Sequence, residues 1–153
     1  MNKSQTNSLV PTLNTLVATL FHSYVLYKGY HWNFRGESFY QYHLLLDNHA
    51  EKIYKSIDEV AERIRQLDGV AEGTFSQYPK LSVLKVVETN DVHQKDLPKL
   101  LTTLVSVHET NIDLLNQLIA EATEQVDVGT ADLLTSFLED HQQMRWFIKA
   151  SQG

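Results

Sequence analysis

Three prolines and six glycines are all that punctuate 153 residues. These two residue types are the strongest breakers of regular backbone, so their scarcity favours long helices. The apolar pattern agrees. Leu9, Leu13, Leu16, Val17, Leu20, Phe21 and Tyr24 recur at three- and four-residue spacing over residues 8–34. Asn7 or Ser8 is placed to cap this helix, Pro11 is tolerated in its first turn, and Gly36 stops it. Ser38 can cap a second helix running to about Leu67, where Asp68-Gly69 ends it.

Residues 69–94 read differently, with Gly69, Gly73, Pro79 and scattered polar residues. They are expected to form a long connection with a short helix in the apolar stretch 81–87. A third helix follows, with Asp96 as cap, Pro98 in the first turn and a stripe from Leu97 through Leu101, Leu104, Leu115 and Leu118 to about Gln125. After an expected loop around Val128-Gly129-Thr130, a fourth helix carries Leu134, Phe137, Leu138, His141, Met144 and Ile148. Two hairpins joined by one long connection make an all-α, ferritin-like four-helix bundle with one long crossover containing a short helix. Residues 1–153 read as a single domain, since a chain of this size buries roughly 68–70% of its unfolded surface in one core.

Composition narrows the chemistry. With no cysteine, thiolate metal sites, iron–sulfur clusters, disulfides and cysteine nucleophiles are excluded. A formal net charge of -6 repels polyanions and attracts cations. The N-terminal residues show no cationic stretch leading into an apolar run, and no window is apolar enough to span a bilayer. A cytoplasmic location without membrane attachment is the expectation.

The second helix carries His43 and Asp47 at i,i+4, and Asp58 and Glu62 at i,i+4. At 100° per residue, Asp47, Asp58 and Glu62 lie about 40°, 60° and 100° from His43, all on one face. An acidic pair alone is ordinarily a solvated face, and a lone histidine is ordinarily structural. Together they form a carboxylate–imidazole set suited to iron, manganese or zinc. The two pairs sit roughly 22 Å apart along the helix, too far to share one ion within one chain. Two copies of the helix packed antiparallel about a two-fold axis near Lys52 and Ile53 would bring each His43/Asp47 pair opposite the other copy's Asp58/Glu62 pair, twice per dimer. Ala50 and Tyr54 would lie close to that contact. His31, near the end of the first helix, can reach the level of His43; the alternative is packing against Trp32. Glu109, Glu121, Glu124 and Glu139 have no histidine three residues on, so an intrachain di-iron centre of the Glu-x-x-His type is not expected.

His31-Trp32-Asn33-Phe34-Arg35-Gly36, then Phe39, His43, Asp47, Asp58 and Ala61-Glu62-Arg63, resembles the Dps family, the miniferritins also called DNA-binding proteins from starved cells. The layout of four helices extends the likeness, as does the end from His141 to Phe147. The resemblance implies a homododecamer built from two-fold dimers that stores ferric mineral. It implies iron sites between subunits, with His31, His43 and Asp47 from one chain and Asp58 and Glu62 from its neighbour, oxidising Fe(II) with hydrogen peroxide or dioxygen. Zinc is a plausible substitute ion. Trp32, beside a ligand, would be either a packing residue or an electron donor. The resemblance also places acidic pores after the third helix, where Asp127, Asp132 and Glu124 are the candidates; Val128 stands where another acid would be expected. Glu51 is a weak candidate for mineral nucleation.

Three functions compete. The first is a ferroxidase and iron store protecting against oxidative stress. The second is a nonenzymatic protein that compacts DNA. The third is a bundle whose metal only holds a dimer together. Lys3 alone precedes the first helix and Lys149 stands near the end, too little positive charge to neutralise many phosphates. DNA binding is therefore expected to be weak or absent.

Overall fold

The structure is a computed structural model that describes residues 7–85 and 91–153. Lys3, Val86 and Val87 lie outside the described residues. Four long helices dominate: α1 (Val10–Asn33), α2 (Phe39–Gln66), α4 (Leu97–Glu124) and α5 (Val128–Ser151), with α3 (Tyr78–Leu81) in the crossover. α1 packs along α2 and α4 along α5, and the two hairpins close on one core. Leu13, Leu16, Leu20, Leu46, Ile64, Leu104, Leu115 and Leu118 are fully buried there. Their three- and four-residue spacing gives each helix one apolar face.

The α-helical ladder starts at Val10, after a 3-10 turn at Asn7–Leu9, so Leu9 takes the cap position instead of Asn7 or Ser8. Ser8 instead accepts a hydrogen bond from Gln125 Nε2. Pro11 does lie in the first turn.

Ser38 holds the cap position of α2, but its side chain caps nothing. Gln94, from the far end of the crossover, accepts from the Ser38 backbone N–H at 2.9 Å and donates to its hydroxyl at 3.0 Å. A Cβ on Gly36, at φ 141°, would collide with Gln94, so this close approach requires glycine. Alongside, two short strands pair in parallel, β1 (Phe34–Arg35) with β2 (Val92–His93). The crossover thus leaves the C-terminal end of α2 and returns to the α1–α2 turn, along the length of the bundle.

Two sequence expectations change. The short helix lies at Tyr78–Leu81, earlier than the 81–87 stretch. Val128-Gly129-Thr130 is not a loop but the first turn of α5. Val126, at φ 59°, ends α4, and the Asp127 N–H closes back on the Ala122 carbonyl at 2.8 Å. The Asp127 carboxylate then caps α5 through the Thr130 N–H at 3.1 Å, leaving only three residues between the helices.

Candidate metal centre

The α1–α2 hairpin brings His31 and His43 together. Their rings stack at 3.8 Å between centroids and 16° between planes. His31 Nδ1 donates to the His43 carbonyl at 2.8 Å, and His43 Nδ1 donates to the His31 carbonyl at 2.8 Å. A carbonyl oxygen only accepts, so both rings carry their proton on Nδ1. In the neutral form each Nε2 keeps a free lone pair, the donor a metal ion takes. Phe39 covers His43 with its ring 4.7 Å away. Asp47, one turn beyond His43, places Oδ1 3.8 Å from His31 Nε2. His31 is thus packed on His43, while Trp32 points outward with 66% of its surface exposed.

Lys28, one turn before His31, donates from Nζ to Asp47 Oδ1 at 2.7 Å. This hydrogen bond holds the Asp47 carboxyl below its usual range. The same ammonium stands 5.9 Å from the centre of the Trp32 ring. Sequence reasoning passed over Lys28, although its three-residue spacing from His31 on one helix face was there to find.

Asp58 and Glu62 are exposed farther along α2. Among the described residues no group of three or more His, Asp or Glu side chains is arranged to hold a metal ion within one chain. Tyr24, Lys28, Asp47, Ala50 and Tyr54 line a shallow groove beside the two imidazoles, open toward solvent. Ala50 is fully buried by its own chain and Tyr54 is 56% exposed, so Tyr54 alone of the two presents side-chain surface at that level.

The acids after α4 separate into two kinds. Glu124 and Asp132 are exposed, and Glu51 on α2 is exposed as well. Asp127 is buried, with Oδ1 accepting from Arg63 at 3.0 Å and Oδ2 from the Thr130 hydroxyl at 2.6 Å. Burial raises its pKa, but the bonds from Thr130 and Arg63 outweigh that and hold it low. Both oxygens of Asp127 therefore serve the fold, tying Arg63, next to Glu62, to the start of α5.

A second imidazole cluster fills the middle of the bundle, one group from each long helix. Tyr27 Oη lies 2.5 Å from His108 Nε2 and 3.3 Å from His49 Nδ1, and His108 Nδ1 lies 2.9 Å from His141 Nδ1. Burial lowers the pKa of His49 to about 4 and of His141 to about 3, and it pushes His108 well below its ordinary range. Burial also raises Tyr27. The network is neutral and hydrogen-bonded to itself, as an interior without compensating charge requires. The position of His141 in the apolar stripe of the last helix was its one trace in the sequence.

Comparison with known proteins agrees with this architecture. A ferritin-like domain profile matches residues 11–152. The DNA protection during starvation protein of Porphyromonas gingivalis is 35% identical, over 98% of this chain and 92% of that one. The crystal structure of Dps from Thermosynechococcus elongatus superposes with a TM-score of 0.91 at 30% identity, covering 98% of this chain and 93% of that one. A Dps protein from Vibrio cholerae, described as a member of a broad superfamily of ferritin-like diiron-carboxylate proteins, gives 0.93 at 25% identity, covering 100% and 94%. A bundle with a full-length crossover and these relatives together place the chain in the Dps family of ferritin-like proteins.

Proposed function

We propose that this protein oxidises Fe(II) and stores the product as ferric mineral inside a homododecamer, with each oxidation site shared between two-fold-related chains. The observation that carries this is the reciprocal bonding of His31 and His43. It leaves two imidazole nitrogens unspent beside Asp47, with no further ligand from the same chain among the described residues. Asp58 and Glu62 of a second copy supply the missing carboxylates, entering along the groove past Tyr54. The donor set of two imidazoles and three carboxylates suits iron, and zinc would fill the same positions without redox chemistry.

Iron is substrate here. Hydrogen peroxide needs two electrons and two protons to become two waters, and two Fe(II) ions held together deliver both electrons in one encounter. A lone Fe(II) delivers one electron and releases a hydroxyl radical. Glu62 is the ligand assigned to bridge two ions. Asp47 and Asp58 offset metal charge, and His31 and His43 bind as neutral imidazoles, so acid weakens binding. Trp32 is the nearby one-electron donor, although the Lys28 ammonium over its face opposes loss of an electron from it. Glu124 and Asp132 are the exposed acids that would draw cations toward a pore, with Asp127 fixing the turn that carries them.

The deciding experiment is anaerobic loading of the assembled protein with Fe(II), then addition of peroxide or dioxygen, followed by absorbance. Wild type should oxidise the iron rapidly. His31→Ala and Glu62→Ala should lose most of that rate at unchanged assembly size, and wild-type rates in either would overturn the assignment. With a net charge of -6 per chain, a gel shift at moderate salt with chelator present should show no DNA retained. The cytoplasm is the compartment this reading assigns. Among the described residues no helix is long and apolar enough to cross a membrane.

A further inference from the structure

We infer that Lys28 is the resident cation of the half-site, a built-in competitor that a divalent ion must displace from Asp47 and that therefore sets the affinity for metal. The inference rests on the shared-site reading above and adds to it a residue that is not a ligand.

Three features of the geometry lead there. Lys28 Nζ occupies the face of Asp47 Oδ1 at 2.7 Å, and that oxygen is the one nearest the free Nε2 of His31, at 3.8 Å. An ion bridging Asp47 and His31 must take the place of the ammonium or sit directly against it. The side chain of Lys28 is only 19% exposed and that of Asp47 40%, so the pair is partly shielded from water, and charge is felt more strongly there than at an open surface. The ammonium also has a second seat, the face of Trp32 at 5.9 Å, which can hold a cation when Asp47 is taken by another.

The arrangement has a purpose in an empty site. Asp47 would face Asp58 and Glu62 of the neighbouring chain, three carboxylates with no metal between them. Like charges brought together repel, and Lys28 offsets part of that repulsion until the ion arrives. The same positive charge then works against the incoming divalent ion. Lys28 is thus a positioning residue: it fixes the Asp47 carboxylate near His31 and trades metal affinity for a tolerable empty state.

The test is calorimetric titration of the assembled protein with Zn(II), a redox-silent probe, at two salt concentrations. Lys28→Met keeps the aliphatic stem and removes the charge. It should bind Zn(II) at least tenfold more tightly than wild type. Lys28→Arg restores the charge and should stay within about threefold of wild type. The gap between Met and wild type should narrow as salt rises, because screening weakens the competing charge. Lys28→Gln repeats the measurement should the Met variant fail to assemble. Equal or weaker binding by the uncharged variants overturns the inference and leaves the shared site standing. Unchanged Zn(II) binding in both His31→Ala and Asp58→Ala overturns the shared site itself.

Discussion

His31 and His43 lie near the surface as stacked rings, each spending one nitrogen on a backbone carbonyl and keeping the other free. His108 and His141 meet nitrogen to nitrogen in the centre of the bundle, and Tyr27 links them to His49. The chemical groups are the same and their uses are opposite. A backbone carbonyl cannot move or change protonation, so it fixes a tautomer and leaves a ligand ready. A second imidazole both gives and accepts, so His108 spends both ring nitrogens inside the network, Nδ1 on His141 and Nε2 on Tyr27. The deeper set looks more like an active site by burial and pKa shift, yet it is the shallower set, closed on backbone, that holds a free nitrogen beside a carboxylate, His31 Nε2 at 3.8 Å from Asp47.

The sharpest way to break this contrast is to truncate one residue from each set. His108→Ala strips partners from the Tyr27 hydroxyl and from His141 while opening a cavity, and should cost on the order of 3–5 kcal/mol. His31→Ala leaves the His43 Nδ1–H bonded to the same backbone carbonyl, and should cost about 1 kcal/mol. Denaturant titration reads both, and iron oxidation should be lost in the second while the first loses chiefly stability. Equal stability losses would end the distinction.

Acid separates the sets next. The unfolded chain binds protons at His49 and His141 below about pH 6.5, whereas the folded core resists down to about 4 and about 3. The unfolded state therefore holds more protons across that window, and stability falls as pH drops from 6.5 toward 4. Lys52 beside His49 and Arg145 near His108 push in the same direction. Melting temperature measured from pH 7 to pH 4 should decline steadily. In a His49→Gln variant the decline should be shallower, and an identical slope would remove His49 from the account.

Tyr27→Phe is a gentler probe. It keeps the ring and deletes only the hydroxyl that joins His49 to His108, and should cost about 1–2 kcal/mol. Zn(II) affinity should be unchanged, although Tyr27 stands one turn from His31. A change in affinity would mean that the two imidazole sets are coupled.

What the sequence revealed follows the reach of each interaction. The four long helices were legible because Gly36, Asp68-Gly69 and Pro98 punctuate strongly periodic stripes. The α4–α5 turn was misread because its decisive contact, the Asp127 carboxylate on the Thr130 N–H, puts the cap before Val128-Gly129-Thr130 and turns an apparent loop into helix. The pairing of Phe34–Arg35 with Val92–His93 left no trace because two residues have no period. His31 stacks on His43 and comes within 3.8 Å of Asp47, as the tight antiparallel turn between the first two helices suggested, while Asp58 and Glu62 lie farther along α2 of the same chain. Lys28 was missed since its partner lies 19 residues away on another helix, and the core network was missed since its four members come from four helices.

The last expected effect concerns Phe39, whose ring packs against that of His43 at 4.7 Å and which is itself 39% exposed. Its ring is more than half buried, so Phe39→Ala should cost about 1–2 kcal/mol of stability. Its consequence belongs to the metal. With the His31 ring on one side and open space on the other, His43 gains freedom that binding must then remove, and each side chain so fixed costs about 0.5–1.5 kcal/mol. Zn(II) affinity should therefore fall several-fold while the melting temperature drops only modestly, and Phe39→Tyr should restore the affinity. A variant that loses stability and keeps its affinity would mean that the backbone carbonyl alone fixes the ring, and that stacking adds nothing to the readiness of the site.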